Sequence, residues 1–220
     1  MSALMLTKSY FIETFKKLAE MAEQNRDHLS KLDSDIGDGD HGINLTIGFR
    51  EVEKQLPTLS ETTADIAELM KKVGMILLSK VGGASGPLYG SFFMKMATHT
   101  VGKQEVTFKE FCQMYQDGVE AVQFRGKAEV GDKTMVDALI PGLDVLKNYQ
   151  EGDDPVKTLQ TCVDEMKKGS DNTIALIAKK GRSMRLGERA IGHRDAGSES
   201  SWMIINQFLE QLKLENQQNA

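Results

Sequence analysis

Cysteine, proline and tryptophan are scarce in this 220-residue chain, which has two Cys, four Pro and one Trp. Cys112 and Cys162 stand outside any CxxC pair or metal-ligand cluster. That argues against a disulfide framework or a zinc ribbon and leaves two buried free thiols as the expectation. Positive charge is not in excess either. With 27 Lys and Arg against 32 Asp and Glu, the net charge is -5, so the clustered cations that nucleic acid or an anionic membrane surface requires are missing. Long apolar runs are absent too: Met1 to Lys8 reaches charge quickly, so neither a signal peptide nor a membrane anchor is expected, and the location expected is the cytoplasm. Strand signals are nearly absent. No stretch alternates apolar and polar residues for long, and no Asn-Gly or Asp-Gly turn joins two β-branched runs.

What is present is helical periodicity. Phe11, Phe15, Leu18 and Met21 recur at three- and four-residue steps, which predicts one helix from Tyr10 to about His28. Further helices are predicted over residues 44–56 and around Ile66, Leu69, Met70, Val73, Ile76 and Leu77. Pro87 suits the first position of a helix over 88–98, because the N–H it lacks has no partner there. Thr107 and Glu110 make a capping box for a helix towards Phe124. Residues 134–149 are helical but carry Pro141, whose lost hydrogen bond and ring clash predict a kink or a break. Asp154-Pro155 opens another helix that runs to about Ala178, with Gly169 a candidate interruption, and 198–214 closes the chain as an amphipathic helix after a long loop over 181–197. The expected fold is all-α, a bundle or barrel of about eight helices. It forms one domain over 1–214 with a polar tail over 215–220.

Asp33, Asp35, Asp38 and Asp40 fall within eight residues, interleaved with Gly37, Gly39 and Gly42. Such carboxylates repel unless a cation sits among them. Magnesium takes hard oxygen ligands and keeps part of its shell for water and phosphate, so a few carboxylates on a bendable backbone suit it. A solvated acidic turn is the alternative. An EF-hand is excluded, since neither Asp33 nor Asp38 as first ligand puts the glycine and terminal Glu in register. His41 follows the acids and could act as base, ligand or donor; beside a metal-filled loop, donation to phosphate is the most economical role.

The run Gly82-Gly83-Ala84-Ser85-Gly86-Pro87 leads into a helix, where free backbone N–H groups and the helix dipole favour an anion. It is not a Walker loop, because no Lys occupies the required place. Acids that bind metal and amides that bind phosphate make a coherent half-site. Arg182, Arg185, Arg189 and Arg194 share one loop with Glu188, His193 and Asp195; one of them could neutralise a transferring phosphoryl group, and surface ion pairing is the alternative for each.

Four motifs in one order carry a resemblance that spans nearly the whole chain. They are Asp33-x-x-Ile36-Gly37-Asp38-Gly39-Asp40-His41-Gly42; Gly82-Gly83-Ala84-Ser85-Gly86-Pro87-Leu88-Tyr89-Gly90; Arg125-Gly126-Lys127-Ala128-x-x-Gly131-Asp132-Lys133-Thr134-Met135; and Gly181-Arg182 with Leu186-Gly187-Glu188-Arg189-x-Ile191-Gly192-His193-Arg194-Asp195. The chain resembles the L subunit of dihydroxyacetone kinase, the ADP-binding subunit of the phosphoenolpyruvate-dependent enzyme. The resemblance implies a closed barrel of eight antiparallel helices, with ADP or ATP and two magnesium ions at one rim. It implies Asp33, Asp38 and Asp40 as metal ligands, with Asp35 outside the set. It places His41, Gly42, Ile43, Asn44, Ala84 and Ser85 along the phosphates, and Gly126, Met135, Arg182, Asp195, Ala196 and Gly197 around the rest of the nucleotide, with Arg182 the catalytic candidate. The family often has Pro where this chain has Ala196. As partners it implies a K subunit that holds dihydroxyacetone, a phosphohistidine donor of M type from the phosphotransferase system, and a transcriptional regulator in side roles. The donor converts resident ADP to ATP, and the γ-phosphoryl group passes to the ketose. An ATP-dependent kinase for a related ketose and a nucleotide-sensing regulator are the other implied functions.

Overall fold

The computed structural model describes residues 4–218. Its order is β1 (Met5–Thr7), α1 (Lys8–Gln24), α2 (Arg26–Ile36), α3 (His41–Thr62), α4 (Ile66–Lys80), α5 (Ser85–Met96), β2 (Glu105–Thr107), α6 (Phe108–Gly126), α7 (Val136–Lys147), α8 (Pro155–Asn172), 3-10 turns over Thr173–Ala175 and Arg182–Ala190, and α9 (Ala196–Gln218). Packing follows a ring: α1 on α3, then α4, α5, α6, α7, α8 and α9 in turn, and α9 back on α1. Eight helices close the barrel. The remaining helix, α2, lies outside that ring, against α3, α9 and the Arg182–Ala190 turn.

Aromatic rings fill the interior. Phe15 and Phe49 meet Phe93 edge-on, Phe92 meets Phe93 and Tyr115, and Phe11 and Phe111 meet Phe208. Edge-to-face pairs add to the burial of such large side chains. The buried Tyr10 hydroxyl donates to the Phe208 carbonyl at 2.7 Å, which ties α1 to α9 where the ring closes.

Several elements differ from the periodicity reading. The single helix expected up to His28 breaks at Asn25, whose N–H caps α1 on the Met21 carbonyl, so that α2 starts a new direction. Asp33 and Asp35 therefore sit on the last turn of α2, and only 37–40 is loop. The short helix expected over 44–56 runs from His41 to Thr62, through Pro57. Pro87 lies at the third residue of α5, still in the first turn where N–H groups go unpaired. A two-stranded antiparallel ribbon, Met5 opposite Thr107 and Thr7 opposite Glu105, joins the starts of α1 and α6. Three-residue strands are too short to show alternation. The closing helix continues past Leu214 to Gln218; 219 and 220 lie outside the described residues.

Neither Pro141 nor Gly169 breaks its helix. Proline at 141 deprives the Asp137 carbonyl, four residues back, of its helical donor. A Cβ on Gly169 would collide with that carbonyl, so glycine is what lets α8 pack directly onto the kink-prone turn of α7. The capping box at Thr107 and Glu110 is present, with Thr107 Oγ accepting from the Glu110 N–H at 3.2 Å and Glu110 Oε2 from the Thr107 N–H at 2.7 Å. Among the described residues no helix is long and apolar enough to cross a membrane.

Candidate functional site

One cleft at the barrel rim gathers nearly all the residues singled out from sequence. Asp33, Asp38, Asp40, His41, Asn44, Ala84, Ser85, Gly126, Met135, Arg182, Asp195, Ala196 and Gly197 line it. Gly42 and Ile43 do not. Ile43 points outward and is half exposed, while Gly42 is buried against the first turn of α2.

The acids converge because α2 ends and α3 begins on either side of a four-residue loop. Asp33 Oδ2 accepts from the N–H groups of Asp40 at 2.9 Å and His41 at 3.2 Å, binding the end of one helix to the start of the next. One oxygen from each of Asp33, Asp38 and Asp40 lies within 4.8 Å of the others. Among the described residues this is the one such group of three. Asp35 is apart from it, 3.6 Å from His193 Nδ1. Arg182 is ion-paired to Asp38, so a cationic group already lies among the carboxylates. An all-oxygen set with room beside it fits magnesium.

Gly82 to Ser85 bring the start of α5 to the same cleft as the acids. Ala84 has no side-chain cap, and the first N–H groups of α5 lack helical partners, which is the arrangement that favours an anion.

His41 is held differently from a free phosphate donor. Its ring is buried, with Nδ1 3.1 Å from Ser85 Oγ and Nε2 2.8 Å from Ser200 Oγ. Burial lowers its pKa to about 4 despite the neighbouring Asp40, so the ring is neutral and bridges two hydroxyls. Ser200 Oγ in turn meets the Tyr89 hydroxyl at 2.5 Å, and burial pushes that phenol up to about 12. The chain Ser85–His41–Ser200–Tyr89 thus locks the starts of α3, α5 and α9 together. Tyr89 stood in a quoted motif but suggested no role, because nothing local reveals a hydroxyl's partner more than 100 residues away.

At the far wall, Asp195 precedes α9 and accepts from the Ser198 N–H at 2.7 Å. Burial, with Asp137 and Asp33 adding, pushes its carboxyl up to about 7, against the lowering by the Ser198 N–H and by Lys133. Glu199 is buried and accepts from His28, Ser170, Arg194 and Trp202. Burial raises its pKa, but these donors outweigh it and hold the carboxylate below its usual range. Leu88, Val122, Ala128 and Val136 form an apolar side of the cleft; sequence reasoning gave none of them a role. Lys133 also lines the cleft, buried at the base of a turn.

A helical barrel whose rim sets three converging carboxylates against an open helix start defines a class of metal- and anion-binding helical protein. The DAK2 domain matches residues 35–210, and the chain belongs to that family. It is 59% identical over 213 residues to the PEP-dependent dihydroxyacetone kinase 2, ADP-binding subunit DhaL, of Listeria innocua, covering 97% of this chain and 99% of that one. It is 39% identical to the PEP-dependent dihydroxyacetone kinase, ADP-binding subunit DhaL, of Escherichia coli, covering 93% and 96%. The fold matches the crystal structure of the dihydroxyacetone kinase of C. freundii with a TM-score of 0.69 at 25% identity, over 91% of this chain. The same kinase in complex with AMP-PNP and Mg2+ gives 0.67. This chain spans about a third of that longer kinase.

Proposed function

We propose that this chain is the ADP-binding phosphotransfer subunit of a phosphoenolpyruvate-dependent dihydroxyacetone kinase. In this reading it accepts phosphate from a phosphohistidine protein onto bound ADP and passes it to dihydroxyacetone on a K subunit, in the cytoplasm. The observation that carries the reading is the trio Asp33, Asp38 and Asp40 sharing one cleft with the uncapped start of α5. The two relatives that match 97% and 93% of this chain support the reading, since each is named the ADP-binding subunit of a PEP-dependent dihydroxyacetone kinase.

Asp33, Asp38 and Asp40 are the residues that would hold magnesium. Bound there, magnesium ions would neutralise charge on phosphoryl oxygens. The chain's own part is positioning. The backbone N–H groups at Ala84 and Ser85 would receive anionic oxygens, and His41 fixes the Ser85 hydroxyl. Arg182 brings a guanidinium to the open edge of the acids, a placement suited to charge that builds during transfer. The apolar wall of Leu88, Val122 and Val136 suits the flat base of a nucleotide. No side chain is placed as a nucleophile, and phosphoryl transfer asks for none on this side.

Support for partner docking comes from the rim. Phe124 is 87% exposed, and Val130, Met184 and Ile191 are each about half exposed; they flank segments that line the cleft. A contiguous patch of such side chains would be a mark of an interface.

The test is native mass spectrometry of the purified protein, with Asp38→Ala alongside. Wild type is expected to carry ADP and magnesium, and the variant to lose magnesium-dependent nucleotide binding while keeping its helical circular dichroism. Unchanged nucleotide affinity in Asp38→Ala would sink the metal assignment. Free exchange of nucleotide by wild type would point instead to an ATP-dependent kinase.

A further inference from the structure

The segment that carries Arg182 has little of the barrel's apolar packing. Between α8 and α9 its buried apolar residues are Ala178 and Ala190, which form a small cluster with Ile36 and the partly buried Leu186, separate from the main core. Its helical content is two 3-10 turns, kinked at Gly187. One backbone bond reaches the rest of the chain, from the Lys179 N–H to the Asp132 carbonyl at 3.1 Å; inside the stretch the Gly192 N–H donates to the Ile174 carbonyl at 2.7 Å and the Asp195 N–H to Thr173 Oγ1 at 3.0 Å.

Lys133 supplies what packing does not. It is 1% exposed, and its Nζ donates to the carbonyls of Thr173 at 2.8 Å, Leu176 at 3.1 Å and Ala190 at 2.7 Å. An ammonium has three N–H bonds, and all three are used. The acceptors come from both ends of the Arg182 segment, so one buried cation reinforces, with three bonds, the closure that the single Gly192–Ile174 backbone bond begins. The turn that delivers Lys133 is built for it. Asp137 accepts from the N–H groups of Gly131 at 2.6 Å and Thr134 at 2.7 Å, and between them Lys133 takes a left-handed φ of 63°. Such a conformation is uncommon for a residue with a Cβ and is held here by the bonds on either side.

We propose that Lys133 is a positioning residue for phosphoryl transfer: by closing the 173–190 segment through three carbonyls, it holds Arg182 at the metal-binding carboxylates. The assignment rests on the functional reading above. It gives Lys133 no contact with the transferring group; its effect passes through Arg182.

The experiment is a double-mutant cycle with Lys133→Met, Arg182→Met and the pair, assayed for dihydroxyacetone phosphorylation with the K subunit and the phosphohistidine donor. Methionine keeps the stem and removes the three donors. Tethering predicts that Lys133→Met lowers kcat at least tenfold with the KM for dihydroxyacetone unchanged, and that the double variant is no slower than Arg182→Met within twofold. A purely structural defect would multiply the two losses; multiplied losses, or a Lys133→Met enzyme near wild type, overturn the proposal. Trypsin cleavage within 179–190, measured on the whole chain, gives a second readout and is expected to accelerate at least tenfold in Lys133→Met. If Arg182→Met leaves turnover intact, the catalytic role of Arg182 fails; the tether is then judged on proteolysis, and an unchanged cleavage rate overturns it. Should Lys133→Met not fold, Lys133→Gln, which keeps two donors, goes through the same cycle with the same criteria.

Discussion

Replacing Gly42 by alanine tests whether the two helices that carry the acids are set by backbone contact. A Cβ at Gly42 would overlap the Arg26 carbonyl and lie 2.8 Å from Ser30 Oγ. Both obstacles belong to the first five residues of α2, and the carbonyl is backbone that cannot rotate away. Forcing an extra methyl into a filled space costs about 1–3 kcal/mol, and a backbone obstacle puts this site at about 3. Alanine recovers at most about 1 kcal/mol of helix propensity over glycine. The clash wins, and the net loss of about 2 kcal/mol lowers the Tm of a chain this long by about 4–8 °C. Because α2 carries Asp33 and α3 starts beside Asp40, separating the helices also spreads the carboxylates, so magnesium-dependent binding of a fluorescent ADP analogue weakens. Thermal unfolding with and without magnesium and ADP is the assay. A Gly42→Ala protein as stable as wild type would show that α2 and α3 are not in close backbone contact, and the argument for the acid geometry would fall with it.

Thr107→Ala removes the cap of α6 and is expected to lower stability by about 1 kcal/mol in urea titration, with nucleotide binding unchanged; a neutral result would mean that the ribbon alone fixes the start of α6. The two thiols give a pH prediction. Burial pushes the Cys112 thiol up to about 12 and raises the Cys162 thiol as well. A raised thiol pKa means the folded state keeps its proton, so this contribution is complete below the ordinary thiol range and is lost as pH climbs above about 8.5 towards the folded value. Both thiols should therefore resist Ellman's reagent at pH 8 and react fully in urea; reaction of either within seconds in the native protein would refute their burial.

Much of the fold could be read before any coordinates because a barrel of amphipathic helices leaves its period in every segment. The reading failed where tertiary contacts decide. Nothing local distinguishes one helix ending at His28 from two meeting at Asn25, since the residues on both sides have helical propensity. Pro141 and Gly169 read singly as breakers, yet each is explained by the other across the α7–α8 contact. The acids, the α5 start and Arg182 were legible as types with known chemistry, and the family likeness selected among them. Gly42 was read as a phosphate neighbour; its burial against α2 shows a packing reason that spacing does not carry.

The roles of Lys133, quoted only as part of a motif, and of Glu199 were not legible for a further reason: a lone charged residue in sequence is expected on the surface. Both are buried, and neither is the other's partner. Lys133 is satisfied by three carbonyls, and Glu199 by donors from His28, Ser170, Arg194 and Trp202. Each thereby fastens a rim segment that the main apolar core does not reach. The barrel is held by area removed from water, whereas the rim is held by directional bonds to buried charge. A cleft that stays open to a ligand cannot be covered with apolar contacts, so fixing its loops from beneath by polar staples is what keeps it both open and ordered.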